Sequence, residues 1–221
     1  MAGDRRGHGP SRRAVLAVAL AGLLASCAAP DTEPRSEPSH SPSKEEDTMS
    51  SEEQAELDER LFTAVNDDDV DAAKALVKQG ANVNALDDRH DTPWLVTGVT
   101  GSVDMLEALL PGEPDVTIRN RFGGTSLIPA CERGHADYVA AVLERTDVDV
   151  DHVNDLGWTG LLEAVVLGDG SDPYQEIVAS LIYHDADVNL ADADGVTPLA
   201  HARQRGQDTV AKLLTEAGAR E

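Results

Sequence analysis

A phrase that recurs at a nearly constant period confines this chain to a small set of folds. Thr92-Pro93-Trp94-Leu95, Thr125-Ser126-Leu127-Ile128, Thr159-Gly160-Leu161-Leu162 and Thr197-Pro198-Leu199-Ala200 align at spacings of 33, 34 and 38 residues. A second phrase holds a fixed phase to the first. It reads Gly80-Ala81-Asn82-Val83-Asn84, Asp185-Ala186-Asp187-Val188-Asn189 and Gly218-Ala219, with weaker copies at Pro114-Asp115-Val116 and Asp147-Val148-Asp149-Val150. Two helical segments lie between the phrases. One is short, as at Pro198 to Arg205; the other is amphipathic, as at Asp208 to Glu216, where Val210, Leu213 and Leu214 share a face. A unit this short cannot bury its own apolar face, so neighbouring units must stack.

Each position in the phrase has a physical role. Thr caps a helix start, and Pro occupies a first turn where no N–H is missed. Leu61, Trp94, Leu127, Leu161 and Leu199 are expected to point into the stack. Gly101, Gly134 and Gly206, between the two helices, supply a left-handed backbone conformation. The Thr-Pro-Leu phrase, the inter-helix Gly and the Gly-Ala-Asp-Val-Asn close together resemble the ankyrin repeat. The resemblance covers about 165 residues and implies an all-α solenoid of about five repeats with short β-hairpins between them. The expected limits are 53–85, 86–118, 119–153, 154–190 and 191–221 within a domain at 51–221. The acidic run Ser51 to Glu56 reads as an N-terminal cap, and Gly218 to Glu221 as a C-terminal one. Pro129 falls in a first turn and is tolerable there.

The first 26 residues read as an address. Arg5, Arg6, Arg12 and Arg13 precede an unbroken small and apolar run from Ala14 to Ala25, which is a signal-peptide pattern too short to span a membrane. Leu24-Ala25-Ser26-Cys27 resembles the bacterial lipobox. That resemblance implies a lipid on the Cys27 sulfur and attachment to the extracytoplasmic face of the cell membrane. Ser11-Arg12-Arg13-Ala14-Val15-Leu16 partly matches the twin-arginine export motif, with Val15 where an aromatic is usual; an ordinary basic n-region fits equally well. Residues 27–50 follow as a tether, with Pro30, Pro34, Pro38 and Pro42 among Ser and acids and no apolar periodicity to order it.

Composition removes several classes. Lys and Arg total 18 against 41 Asp and Glu, a net charge of −23, so a phosphate backbone would be repelled and nucleic-acid binding is excluded. Two cysteines make neither a disulfide scaffold nor a four-Cys zinc site. Aromatics at 3% leave a core of Ala, Leu and Val. No His-Glu-x-x-His, Gly-x-Ser-x-Gly, Walker or Gly-x-Gly-x-x-Gly motif is present, so no catalytic residues, enzyme activity or cofactor are expected. His135 reads as a local hydrogen-bonding residue, and Cys131 as a buried, inert thiol. Asp192 to Gly195 reads as a turn with a left-handed Gly.

The remaining candidates are surface positions. Ankyrin stacks hold other proteins on hairpin tips and first helices, and this implies contacts at Arg89, His90, Arg121, Phe122, Asp155 and Leu156. Trp158 either joins that face or packs under its hairpin. The inserted turn Gly168 to Pro173 in the fourth repeat is expected to protrude beside Tyr174, as a partner-contacting loop or a tolerated flexible turn. Asp169 and Asp172 are weak metal candidates, because a calcium loop needs more ligands and a closing Glu. The resemblance implies a non-catalytic, lipid-anchored binder of another exported protein, accessory or inhibitory to it. The alternative is a calcium-dependent or structural cell-surface element. The acidity would steer a basic partner, and a monomer is expected.

Overall fold

The computed structural model describes residues 49–221; Cys27, the paired arginines and nearly all of the Pro-rich segment lie outside the described residues. Among the described residues ten α-helices follow one another: α1 (Ser51–Asn66), α2 (Val70–Lys78), α3 (Pro93–Thr100), α4 (Val103–Leu109), α5 (Leu127–Arg133), α6 (Ala136–Arg145), α7 (Gly160–Val166), α8 (Asp172–Tyr183), α9 (Pro198–Gln204) and α10 (Asp208–Glu216). The odd-numbered helices contact one another in series, and so do the even-numbered ones. The result is a two-layered stack in which each helix pair touches chiefly its neighbours.

The helix starts follow local chemistry. The hydroxyls of Thr92, Thr159 and Thr197 accept from the backbone N–H three residues on, at 3.0, 3.2 and 3.2 Å. The third repeat departs from this pattern: Ser126 is already helical, α5 begins one residue later, and the Thr125 hydroxyl finds no partner. α1 is longer than the other first helices and carries a reciprocal cap. Ser50 accepts from the Glu53 N–H, and the Glu53 carboxylate accepts from the Ser50 N–H. Between paired helices, Gly101, Gly134 and Gly206 hold φ of +72°, +75° and +70°, the left-handed geometry the turn requires.

The expected core positions are inside. Leu61, Trp94, Leu127, Leu161 and Leu199 are all buried, and Cys131 is buried with its thiol pushed up by desolvation and by the nearby Glu163 carboxylate. Each such aliphatic side chain contributes about 1.5–3 kcal/mol on burial. His135 reaches across a repeat boundary, its Nε2 lying 3.2 Å from the Val99 carbonyl.

Two expectations need correction. No β-hairpins form: among the described residues there is no strand, and the connections between repeats are tight loops. The fourth-repeat insert, exposed at Asp169 and at 171–173, is tied to its neighbours rather than free. Gln207 in the next repeat donates its Nε2 to the carbonyls of Val165 and Gly168, both at 3.0 Å, and Gln175 Nε2 donates to the Gly170 carbonyl at 2.7 Å. Gln207→Ala is expected to leave the Val165 carbonyl without this donor, while Gly168 keeps Arg205 at 3.4 Å, and to cost about 1 kcal/mol. Chemical denaturation measures the loss, and hydrogen exchange at residues 168–172 should accelerate with it.

Candidate partner-binding face

Four loops of one design connect the repeats. In each, a leading Asp or Asn donates its backbone N–H to the carbonyl four residues on: Asp87 to Asp91, Asn120 to Gly124, Asn154 to Trp158, Asp192 to Val196. Its side-chain oxygen then accepts the N–H groups two and four residues on. For Asn120 these are Phe122 and Gly124, at 2.9 and 3.0 Å; for Asn154 they are Leu156 and Trp158, both at 3.0 Å. Asp87 and Asp192 do the same. The short side chain thus satisfies donors that a hairpin ladder would use, which explains the missing strands. The fourth position of each loop is left-handed. Gly fills it at 123, 157 and 195, but His90 occupies it in the first loop at φ +63°.

Neighbouring loops are tied together. Arg121 reaches back to Asp91 at 2.6 Å, and its guanidinium lies 4.7 Å from the Phe122 ring centre. The Phe122 carbonyl accepts from the Asp155 N–H at 3.0 Å, and the Gly123 carbonyl from His152 Nε2 at 2.6 Å. The first three loops therefore form a fixed ledge. Along it stand exposed apolar side chains: Leu86, Phe122, Val153 and Leu156 are 57, 59, 47 and 64% accessible. Fixed, exposed aromatic and aliphatic groups lower the ordering cost of association.

The positions singled out from sequence divide accordingly. Arg121, Phe122, Asp155 and Leu156 lie together on two adjacent loops. Arg89 and His90 are exposed on the first loop, where Arg89 Nε pairs with Asp87 at 3.1 Å. Trp158 is half-buried at the root of its loop. Tyr174 sits apart from the ledge. It is partly buried against the core, and its hydroxyl donates to the Glu132 carbonyl at 3.0 Å. Asp169 accepts from the Ser171 N–H within its own turn at 2.9 Å. Among the described residues no three His, Cys, Asp or Glu side chains are grouped to hold a metal ion. Leu86 and Val153 escaped the sequence reading, although the fixed offset from the Thr phrase places both in loops.

Beneath the last two loops lies a pair of contacts that the sequence did not reveal. The loop-leading residue meets the residue nine positions on, in the first helix. Asn154 Nδ2 donates to Glu163 Oε1 at 2.7 Å, and Asp192 Oδ2 meets His201 Nε2 at 2.7 Å. The His201 contact, with the Val196 and Asp194 N–H groups, holds the Asp192 carboxyl below its usual range. Burial pushes the Glu163 carboxyl up to about 7; the Asn154 amide works against this and the Glu132 carboxylate reinforces it. A groove of about 460 Å³ opens at the other end of the ledge, between α1 and residues 85–88.

Similarity to known proteins agrees with this architecture. Ankyrin-repeat sequence models match residues 61–88 and, as three copies, 94–192. A putative ankyrin repeat protein of Escherichia coli, YahD, is 42% identical over 146 residues, 66% of this chain and 73% of its own length. Human Rabankyrin-5 is 31% identical over 154 residues, but this chain spans only 13% of it. The crystal structure of an ankyrin repeat domain from Acinetobacter baumannii superposes with a TM-score of 0.70 at 48% identity, over 72% of this chain and 81% of that one. The repeating phrase, the two-layered stack of helix pairs and these matches agree: the chain belongs to the ankyrin-repeat family.

Proposed function

We propose that this protein is a lipid-anchored binding module that holds another exported protein on its loop ledge, as an accessory or inhibitor of that partner. Ankyrin repeats are protein–protein interaction modules, and the observation that carries the reading is the ledge. Its backbone is fixed by side-chain and inter-loop hydrogen bonds, and it presents Phe122 beneath a guanidinium that is itself held by Asp91. Aromatic and Arg groups presented this way are hot-spot types. Past residue 50 the chain carries 34 acids and 12 bases, which favours encounter with a basic partner. The anchor rests on the lipobox resemblance at Cys27, and the Pro-rich tether would allow the domain a reach of up to ~70 Å from the bilayer.

One capture experiment tests both parts. The full chain, cross-linked in the envelope of cells that make it, is expected to recover one partner stoichiometrically from the membrane fraction. Changing Arg121 and Phe122 together to Ala should abolish recovery, and Cys27→Ala should move the chain to the soluble fraction. A partner retained by the double alanine variant overturns the ledge. Membrane retention of the Cys27 variant overturns the anchor.

A further inference from the structure

The groove at the first repeat has a chemistry of its own. In the second, third and fourth repeats the residue after the inward leucine position is Leu95, Ile128 or Leu162, and all three are buried. In the first repeat it is Phe62, only half-buried. Phe62 therefore forms a partly open apolar floor with the exposed Leu86.

Four carboxylates surround that floor, and they are not equivalent. Asp58 is engaged within the fold: its Oδ1 accepts from the Asn82 N–H at 2.7 Å and from Gln54 Nε2 at 2.8 Å. Asp87 is committed to its own loop and to Arg89. Glu59 and Asp88 are exposed, and among the described residues neither side chain makes a hydrogen bond or ion pair. Among the described residues the groove thus has an apolar floor, two acids held by the fold and two that make no hydrogen bond or ion pair. A volume of about 460 Å³ is in the range of sites that enclose a few groups of a ligand.

We propose that this groove receives a segment of the partner protein in which a Lys or Arg stands beside an aliphatic residue. The inference rests on the interaction-module reading and gives that partner a chemistry. The aliphatic residue lies against Leu86 and Phe62. The stem of the basic side chain covers the Phe62 ring, and its head reaches Glu59 and Asp88 while keeping contact with water. An Arg gains further from the ring face. An acidic segment would meet four carboxylates at close range, and a wholly polar one would leave the floor uncovered, so the pairing selects against both.

The probe is a fluorescein-labelled hexapeptide, Gly-Leu-Arg-Leu-Lys-Gly, titrated into the full chain by anisotropy. Two control peptides carry Glu in place of both basic residues or Ser in place of both leucines. Saturable binding of the first peptide and at least tenfold weaker binding of each control are expected. Glu59→Lys with Asp88→Lys should weaken the first peptide at least tenfold, with helix content and melting unchanged, because both side chains are exposed. Phe62→Ser should weaken it as well, and raising salt from 0.05 to 0.5 M should weaken it severalfold. Equal binding of the Glu control, no saturation by 1 mM, or full affinity in the charge-reversed variant overturns the groove. So does a concentration-dependent dimer that is lost on charge reversal, or displacement of the peptide by the chain's own arginine-rich first residues, since either names another occupant. The two readings fail separately. If the envelope partner is captured equally by the charge-reversed variant, the groove falls and the module stands. If no partner is captured by either form, the module reading falls.

Discussion

Gly98→Ala is expected to lower the stability of the repeat stack by about 2 kcal/mol, although it places a better helix former inside a helix. Gly98 is buried in α3, where the helix passes directly over the start of the third repeat. A Cβ built there would collide with the Ser126 carbonyl oxygen, and it would lie 2.7 Å from the carbonyl carbon and 2.9 Å from Cα. All three atoms are backbone, at the point where Ser126 has begun the helical turn of α5. No side chain can rotate away, so the two repeats must separate or α5 must shift. Alanine gains about 1 kcal/mol in helix propensity over glycine, against an overpacking cost of about 3 kcal/mol. The net loss should appear as a fall in Tm of about 6 °C. Gly98→Val, with two more carbons at the same contact, should exceed it. Gly206 is a suitable contrast: its Cβ would meet nothing within 4 Å, so Gly206→Ala carries only the left-handed backbone penalty. Equal melting of the Gly98→Ala and wild-type chains would show that the inter-repeat spacing yields freely at this point.

Much of this stack was legible because repeats convert local chemistry into a period. Thr92, Thr159 and Thr197 announce helix starts by the one property that matters there, a hydroxyl placed three residues ahead of an unpaired N–H. Leu61, Trp94, Leu127, Leu161 and Leu199 announce the core by their phase alone. The strands failed for an equally local reason. Asp87, Asn120, Asn154 and Asp192 each satisfy two loop N–H groups from their own side chains, so no backbone ladder is needed.

What escaped the sequence is what depends on contact between positions far apart in the chain. Gln207 pins Gly168 across 39 residues, and nothing in either segment names the other. Tyr174 looked like an exposed neighbour of a free loop, but the stack gives its hydroxyl the Glu132 carbonyl. On the ledge, Arg121 and Phe122 were visible as types, whereas the Asp91 contact that fixes them spans a repeat. Asn154 with Glu163, and Asp192 with His201, share a nine-residue offset that becomes meaningful only once the loop is seen folded onto the helix.

The Asn154–Glu163 pair sets how this protein should respond to pH. Glu163 is only 4% exposed and receives one amide hydrogen bond, so its carboxyl is pushed from 4.5 up to about 7 by burial, with the Glu132 carboxylate adding to the shift. An acid with a raised folded-state value keeps its proton in the fold over a range where the unfolded chain has lost it. Stability therefore falls as pH rises from about 4.5 to about 7, and the full penalty, about 3 kcal/mol, is present above that range. The acids held low by their partners, Asp115 and Asp192 among them, act in the opposite direction and only under more acid conditions. Glu163→Gln keeps an acceptor for the Asn154 amide and removes the titration. It adds a buried amide donor at a cost of about 1 kcal/mol, leaving a net gain of about 2 kcal/mol at pH 8 and a Tm higher by about 6 °C. At pH 5 the gain should vanish or reverse, because the wild-type carboxyl is then protonated. Asn154→Asp should do the reverse, setting a second carboxylate against Glu163, with its loss of stability greatest at pH 8. Melting curves at half-unit steps from pH 5 to 8 for the wild type and both variants decide the matter. Parallel curves for the wild type and Glu163→Gln would show that this buried carboxyl does not titrate in the range.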